Sequence, residues 1–144
     1  MAKIKFVSNE ERRFVSFLDE AQTNPERWSH LAPSELVGEK FVHHEGSADE
    51  PQLFEVKFPG NHTVEAHAHE ADEIIVVTEG EVHFGKQVFG AGSSVFIPKL
   101  TLYSFKTGPN GMTFLNFRPT KTARKGIFKD ELMKMRSEKK IEST

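Results

Sequence analysis

At 144 residues the chain has the length of one ordinary domain. A formal net charge of −2 excludes a general nucleic-acid binder, and the absence of cysteine excludes disulfides and thiolate metal sites. No apolar run approaches the roughly 18 residues needed to span a bilayer, and Met1–Lys5 lacks the apolar stretch of a signal peptide, so a cytoplasmic protein without a membrane partner is expected. Ile4 and Phe6 alternate with Lys3 and Lys5 and predict a short first strand. Ser8 and Glu11 have capping-box spacing, and Phe14, Phe17, Leu18 and Ala21 follow at helical intervals, predicting a helix over 9–21. Asn24-Pro25 reads as the start of a second, short helix.

From about residue 36 the rhythm is that of strands. Phe54, Val56 and Phe58 alternate with Glu55 and Lys57, as on a half-buried strand. After the Pro59-Gly60 turn, Thr63, Glu65, His67 and His69 share one parity. Ile74 to Val77 reads as a strand buried on both faces, and Glu79-Gly80 as a tight turn. Val82 and Phe84 resume the alternation, with His83 outward. Val95-Phe96-Ile97 ends at Pro98, and Tyr103 and Phe105 open another strand. Gly108-Pro109-Asn110-Gly111 reads as a turn before a last strand from Met112 to Phe117. A helical tail follows from Phe128, with Leu132, Met135 and Ile141 as its apolar positions. It is locally basic: eight Lys or Arg against four Asp or Glu from Lys121 to Thr144. That is the pattern of a solvated helix face of mixed charge. Many short strands with regular turns and helices only at the ends predict an all-β sandwich or barrel. The expected division is 1–35 as an N-terminal segment packed on the barrel, 36–119 as the barrel, and 120–144 as the tail, one domain in all.

The most informative residues are His67-Ala68-His69 and Glu73. Alternate side chains of an extended strand point to one face, so two imidazoles stand side by side and a carboxylate follows beyond a short bend. Two neutral nitrogens and one anionic oxygen hold a divalent transition metal and leave positions open for a substrate. Fe, Mn, Ni and Zn all suit such ligands.

Gly60 precedes His67 by six intervening residues, and Gly80 follows Glu73 by six; Gly92 is followed by five residues and Pro98, and Tyr103 lies five places further on. This spacing resembles the paired motifs of the cupin superfamily, over roughly residues 50–118. The resemblance implies a small single-domain antiparallel jelly-roll β-barrel with a metal near its centre, and a homodimer. The chain departs from the family pattern at three places. One extra residue precedes His67. Leu100 stands where a glycine is usual. Tyr103 takes the position where the family places a fourth, histidine ligand. Tyr103 is therefore either a phenolate ligand or a neutral donor beside an open metal position. The neutral role is preferred, because a phenol of pKa about 10 gives up its proton only to a strong electrostatic partner.

Glu65 shares the parity of His67 and is carried with Tyr103 as a candidate catalytic residue. Asp72 and His62 are expected on the surface. His43-His44 sends at most one ring inward. Phe58, Phe96 and Phe105 are expected in the core. Together these residues suggest a metal-dependent, dioxygenase-like enzyme acting on a small carbonyl or hydroxyl compound. The alternative is a barrel that binds a small molecule without turning it over.

Overall fold

The computed structural model describes residues 3–23, 25, 36–122 and 126–139. The elements, in chain order, are a 3-10 turn at Asn9–Glu11, β1 (Arg13–Ser16), α1 (Phe17–Thr23), β2 (Glu39–His44), β3 (Gln52–Phe58), β4 (Thr63–Ala68), β5 (Glu73–Phe84), β6 (Gln87–Gly90), β7 (Ser94–Ile97), β8 (Tyr103–Arg118), β9 (Ile127–Phe128) and α2 (Lys129–Lys139). All pairings are antiparallel. The strands run β1-β2-β3-β8-β4-β9, and β5 pairs with β6, β7 and β8. The sheet curls into the half-barrel of an all-β jelly roll. Among the described residues no helix is long and apolar enough to cross a membrane.

The inner face carries the core. Phe54, Val56 and Phe58 of β3, Ile75, Val77 and Val82 of β5, and Phe105, Met112 and Phe114 of β8 are all buried against one another. Each such side chain contributes roughly 1.5–3 kcal/mol on leaving water. A second, smaller cluster lies on the other side of β4, where Ala68 and Ile127 are sealed by Leu132 of α2. The tail helix is thus held by Leu132, by Met135 packed against the same cluster, and by Arg136, whose Nη2 donates to the Leu100 carbonyl at 3.1 Å.

Several expectations are corrected by pairing. Lys3 to Phe6 forms no strand, and Ile4 and Phe6 are exposed. Ser8 N does donate to Glu11 Oε1 at 3.2 Å, but the turn so capped ends at once. Arg13 to Ser16 then pair with Val42 to Glu39 of β2, a setting that suits β-branched Val15. The helix begins only at Phe17, where Ser16 Oγ accepts from Asp19 N at 3.3 Å. The expected helix at Asn24-Pro25 falls almost wholly outside the described residues, as does Ile141 of the tail.

β5 is buried on one face only, with Ile74 exposed. It shows no turn at Glu79-Gly80 and runs on through two register shifts against β8. Gly80 opposes Met112 and Val82 opposes Thr107, so Gly108 to Gly111 bulge out of β8 instead of ending it. β8 can therefore pair with β4 through its first part and with β3 through its second. Phe96 is 59% exposed, beside exposed Ile74 across the β5–β7 pair; Phe58 and Phe105 are core as expected.

Candidate functional site

β4 and β8 build one wall of the site. Val64 opposes Phe105 and His67 opposes Tyr103, so β4 carries one extra residue between them. That bulge resets the strand's phase. Val64, of the opposite parity to His67, packs against the core, His67 follows it inward, and Glu65 is displaced. Glu65 borders the cavity but stays exposed, and it serves the site through its backbone: its carbonyl oxygen lies 2.8 Å from His67 Nδ1. A carbonyl only accepts, so Nδ1 carries the hydrogen and Nε2 keeps its lone pair. Burial and the Arg118 charge push the His67 pKa down to about 4, so the ring is neutral at neutral pH.

The loop after β4 is tied to the strand connection before β8. Leu100 N donates to the His69 carbonyl at 2.7 Å, and Lys99 N donates to Asp72 Oδ1 at 2.8 Å. Leu100 has φ +58, so it adopts the left-handed conformation that a glycine would take more easily. Its packing against the second cluster offsets that strain. Asp72 is exposed as expected, yet it anchors the loop that delivers Glu73.

Glu73 opens β5 and is 2% exposed. Its Oε1 accepts from Tyr103 OH at 2.8 Å and from Asn116 Nδ2 at 3.3 Å. Its Oε2 accepts no hydrogen bond among the described residues; His69 Nε2 lies 3.3 Å from it and Arg118 Nε 3.7 Å. Burial raises the carboxyl pKa, and Arg118, Tyr103 and Asn116 pull against that rise. Burial and the neighbouring carboxylate push the Tyr103 phenol well above its usual value, which is the behaviour of a neutral donor.

Two residues that sequence reasoning missed complete this floor. Asn116 and Arg118 follow Met112 and Phe114 on the inward parity of β8, and Asn116 is directly opposite Ile75. Polar side chains on the inward parity of an apolar strand were the available signal. Arg118 Nη2 lies 3.3 Å from His69 Nε2. Guanidinium only donates, so Nε2 is the acceptor in that contact.

His67 and His69 meet edge to face with ring centroids 4.9 Å apart. Among the described residues, no three His, Cys, Asp or Glu side chains are gathered as a ready metal-holding group. Of the expected set His67, His69 and Glu73, the His69–Glu73 edge is assembled, and Tyr103 holds the carboxylate from behind. The donor set fits a cation at that edge. With bonds of roughly 2.0–2.2 Å, two ligand atoms of one ion stand about 3 Å apart. Here two lone-pair atoms, Nε2 and Oε2, face each other at 3.3 Å, an arrangement that only a cation or a proton reconciles.

These groups border a cavity of about 560 Å³ that extends from His69 and Glu73 past Phe54 and Phe58 to Lys40 and α1. His62, expected on the surface, stacks on Phe58 at 4.9 Å and borders the same cavity. His43 and His44 do not border it.

No protein-family model matches the chain, and no curated protein sequence does. Solved structures match its fold. A RmlC-like cupin from Ralstonia eutropha JMP134 is 12% identical with a TM-score of 0.64, covering 99% of this chain and 92% of its own. A RmlC-like cupin from Shewanella frigidimarina NCIMB 400 is 16% identical with a TM-score of 0.59, over 84% of this chain and 95% of its own. KdgF from a Halomonas species is 17% identical with a TM-score of 0.57, over 83% of this chain and 96% of its own. The protein shares the jelly-roll fold of these cupin structures.

Proposed function

We propose that the protein is a metal-dependent enzyme, dioxygenase-like, acting on a small carbonyl or hydroxyl compound, with His67, His69 and Glu73 as ligands of a divalent transition metal. The fold does not select the reaction. The observation that carries the reading is the facing pair of His69 Nε2 and Glu73 Oε2 at 3.3 Å at the floor of a large cavity. When bound, the ion supplies Lewis acidity and open positions for a chelating substrate. The chain's own residues set the geometry. Tyr103 and Asn116 fix Glu73 through Oε1 and leave Oε2 directed at His69. Glu65 fixes the His67 tautomer through its carbonyl. Phe54, Phe58, Phe105 and Phe114 keep bulk water from the cavity walls.

One observation favours a second reading. Arg118 lies against the same two atoms, at 3.3 and 3.7 Å, and can serve as a resident cation in a barrel that binds without catalysis. Metal analysis of the purified protein separates the two. A near-stoichiometric ion, lost on Glu73→Gln, together with oxygen uptake after Fe(II) reconstitution on diketones, catechols or flavonols, supports the enzyme. A folded protein that takes up none of Fe, Mn, Ni or Zn rejects it.

A further inference from the structure

We infer that the substrate is an organic acid, and that its carboxylate binds between Lys40 of β2 and Arg118 of β8, against the ring of Phe54. The inference rests on the reading of this cavity as a substrate site, and it adds the substrate's charge and the residues that recognise it. β2, β3 and β8 are adjacent, and Phe54 on the middle strand opposes Val42 on one side and Asn116 on the other. Lys40 shares the inward parity of Val42, and Arg118 that of Asn116. Their heads lean onto one ring, with Lys40 Nζ 4.7 Å and Arg118 Cζ 5.6 Å from the Phe54 centroid. Both border the same cavity.

Both are partly buried cations with donors to spare. Their side chains are 14% and 16% exposed. Each has a carboxylate nearby but out of hydrogen-bonding range: Glu20 Oε2 is 3.6 Å from Lys40 Nζ, and Glu73 Oε2 is 3.7 Å from Arg118 Nε. Among the described residues Arg118 Nε makes no hydrogen bond, and the Lys40 ammonium stands at ion-pair rather than hydrogen-bond distance from Glu20. Ammonium offers three donors and guanidinium five, and leaving them unused in a low-dielectric cavity is costly. A ligand carboxylate supplies the missing acceptors and takes charge-assisted bonds from both sides. Asp19, Glu20, Glu45 and Glu65 also border the cavity, so the positive character is local to the ring of Phe54 and positions the anion there. Burial, and then the charges of Arg118 and Arg13, hold Lys40 down to about 8, so it is still charged at neutral pH and feels its neighbour's like charge. Arg118 touches His69 as well, which places the substrate's remaining oxygens beside the expected metal position.

The test is isothermal titration of pyruvate and succinate, with methyl pyruvate as the neutral analogue, into metal-loaded and EDTA-treated protein. The variants are Lys40→Met and, in case loss of Arg118 disturbs the fold, Arg118→Lys as the gentler partner of Arg118→Gln. The acids are expected to bind both protein forms, the ester is expected not to, and each variant is expected to weaken the acids by roughly tenfold or more. Equal binding of acid and ester, binding insensitive to Lys40→Met, or no binding of either acid overturns the inference. Metal uptake is measured on the same samples. Acid binding without metal uptake removes the proposed metal enzyme and leaves this site standing, while metal uptake without acid binding does the reverse.

Discussion

The hydroxyl of Tyr103 donates to Glu73 Oε1 across 2.8 Å, joining the end of one sequence motif to the end of the other inside the barrel. The phenol's proton is committed to a carboxylate, and both burial and that carboxylate hold the proton on. Tyr103→Phe leaves Oε1 with the longer Asn116 bond alone, and a poorly satisfied buried acceptor costs about 1–2 kcal/mol. Urea unfolding at neutral pH measures that loss. The wild-type protein loaded with ferric iron should show no intense visible charge-transfer band. Appearance of the band, with no band in Tyr103→Phe, would establish phenolate ligation and reject the neutral role.

Glu73→Gln separates charge from shape. The amide oxygen still accepts from Tyr103 and Asn116, so the barrel should fold with its cavity unchanged. The variant loses the anionic oxygen that faces His69, and its affinity for Zn(II) or Ni(II) should fall by about a hundredfold or more. Competition with a chromophoric chelator reads the affinity, and circular dichroism reads the fold. Unchanged affinity would take Glu73 out of the ligand set.

Much of the wall was legible because period-two alternation records burial directly, as at Phe54, Val56 and Phe58. The spacing of His67, His69 and Glu73 singled out side chains that border one cavity. The illegible parts have physical causes. The bulge in β4 adds one residue and moves Val64 and His67 onto the same face, which no parity argument anticipates. Arg118 lies 49 positions from His69 and 45 from Glu73, and only the β5–β8 register brings them together. The parity of β8 was ambiguous because Phe114, Leu115 and Phe117 are apolar on both faces. Leu100 departs from the motif in residue type, yet its backbone keeps the glycine-like conformation and ties down His69.

Gly80 reads as a turn in the sequence and acts as a hinge within a continuous strand. It has φ +72, and a Cβ there would run into the Gly111 carbonyl, at the place where β8 bulges. Gly80→Ala combines an unfavourable backbone conformation with a clash against main chain that cannot swing aside, and should destabilise by roughly 2–4 kcal/mol. Gly85 has a similar φ of +59, but nothing within 4 Å would meet its Cβ, so Gly85→Ala isolates the conformational part at about 1 kcal/mol. Thermal or urea unfolding of the two variants checks the difference. Equal losses would mean that the contact between the two bulged segments does not hold them together.

Lys40 gives the fold a pH dependence whose sign follows from its lowered pKa. The ordinary lysine value is 10.5, and in the folded chain burial, with Arg118 and Arg13, brings it to about 8. Below pH 8 both states hold the proton, and the fold bears the full cost of a buried ammonium. Between pH 8 and 10.5 the unfolded chain keeps a proton that the folded chain has released, so unfolding takes up a proton and stability rises with pH. The rise should reach on the order of 2 kcal/mol by pH 10. Above that, the raised phenol of Tyr103 works in the opposite direction, because the unfolded chain ionises first. Lys40→Met removes the lysine contribution. Unfolding free energies of metal-free wild type and Lys40→Met, measured from pH 7 to 10, should therefore diverge, with the wild type gaining and the variant flat. Parallel profiles would show that Lys40 is solvated in the folded protein, and would undercut its place against Phe54 as part of a carboxylate site.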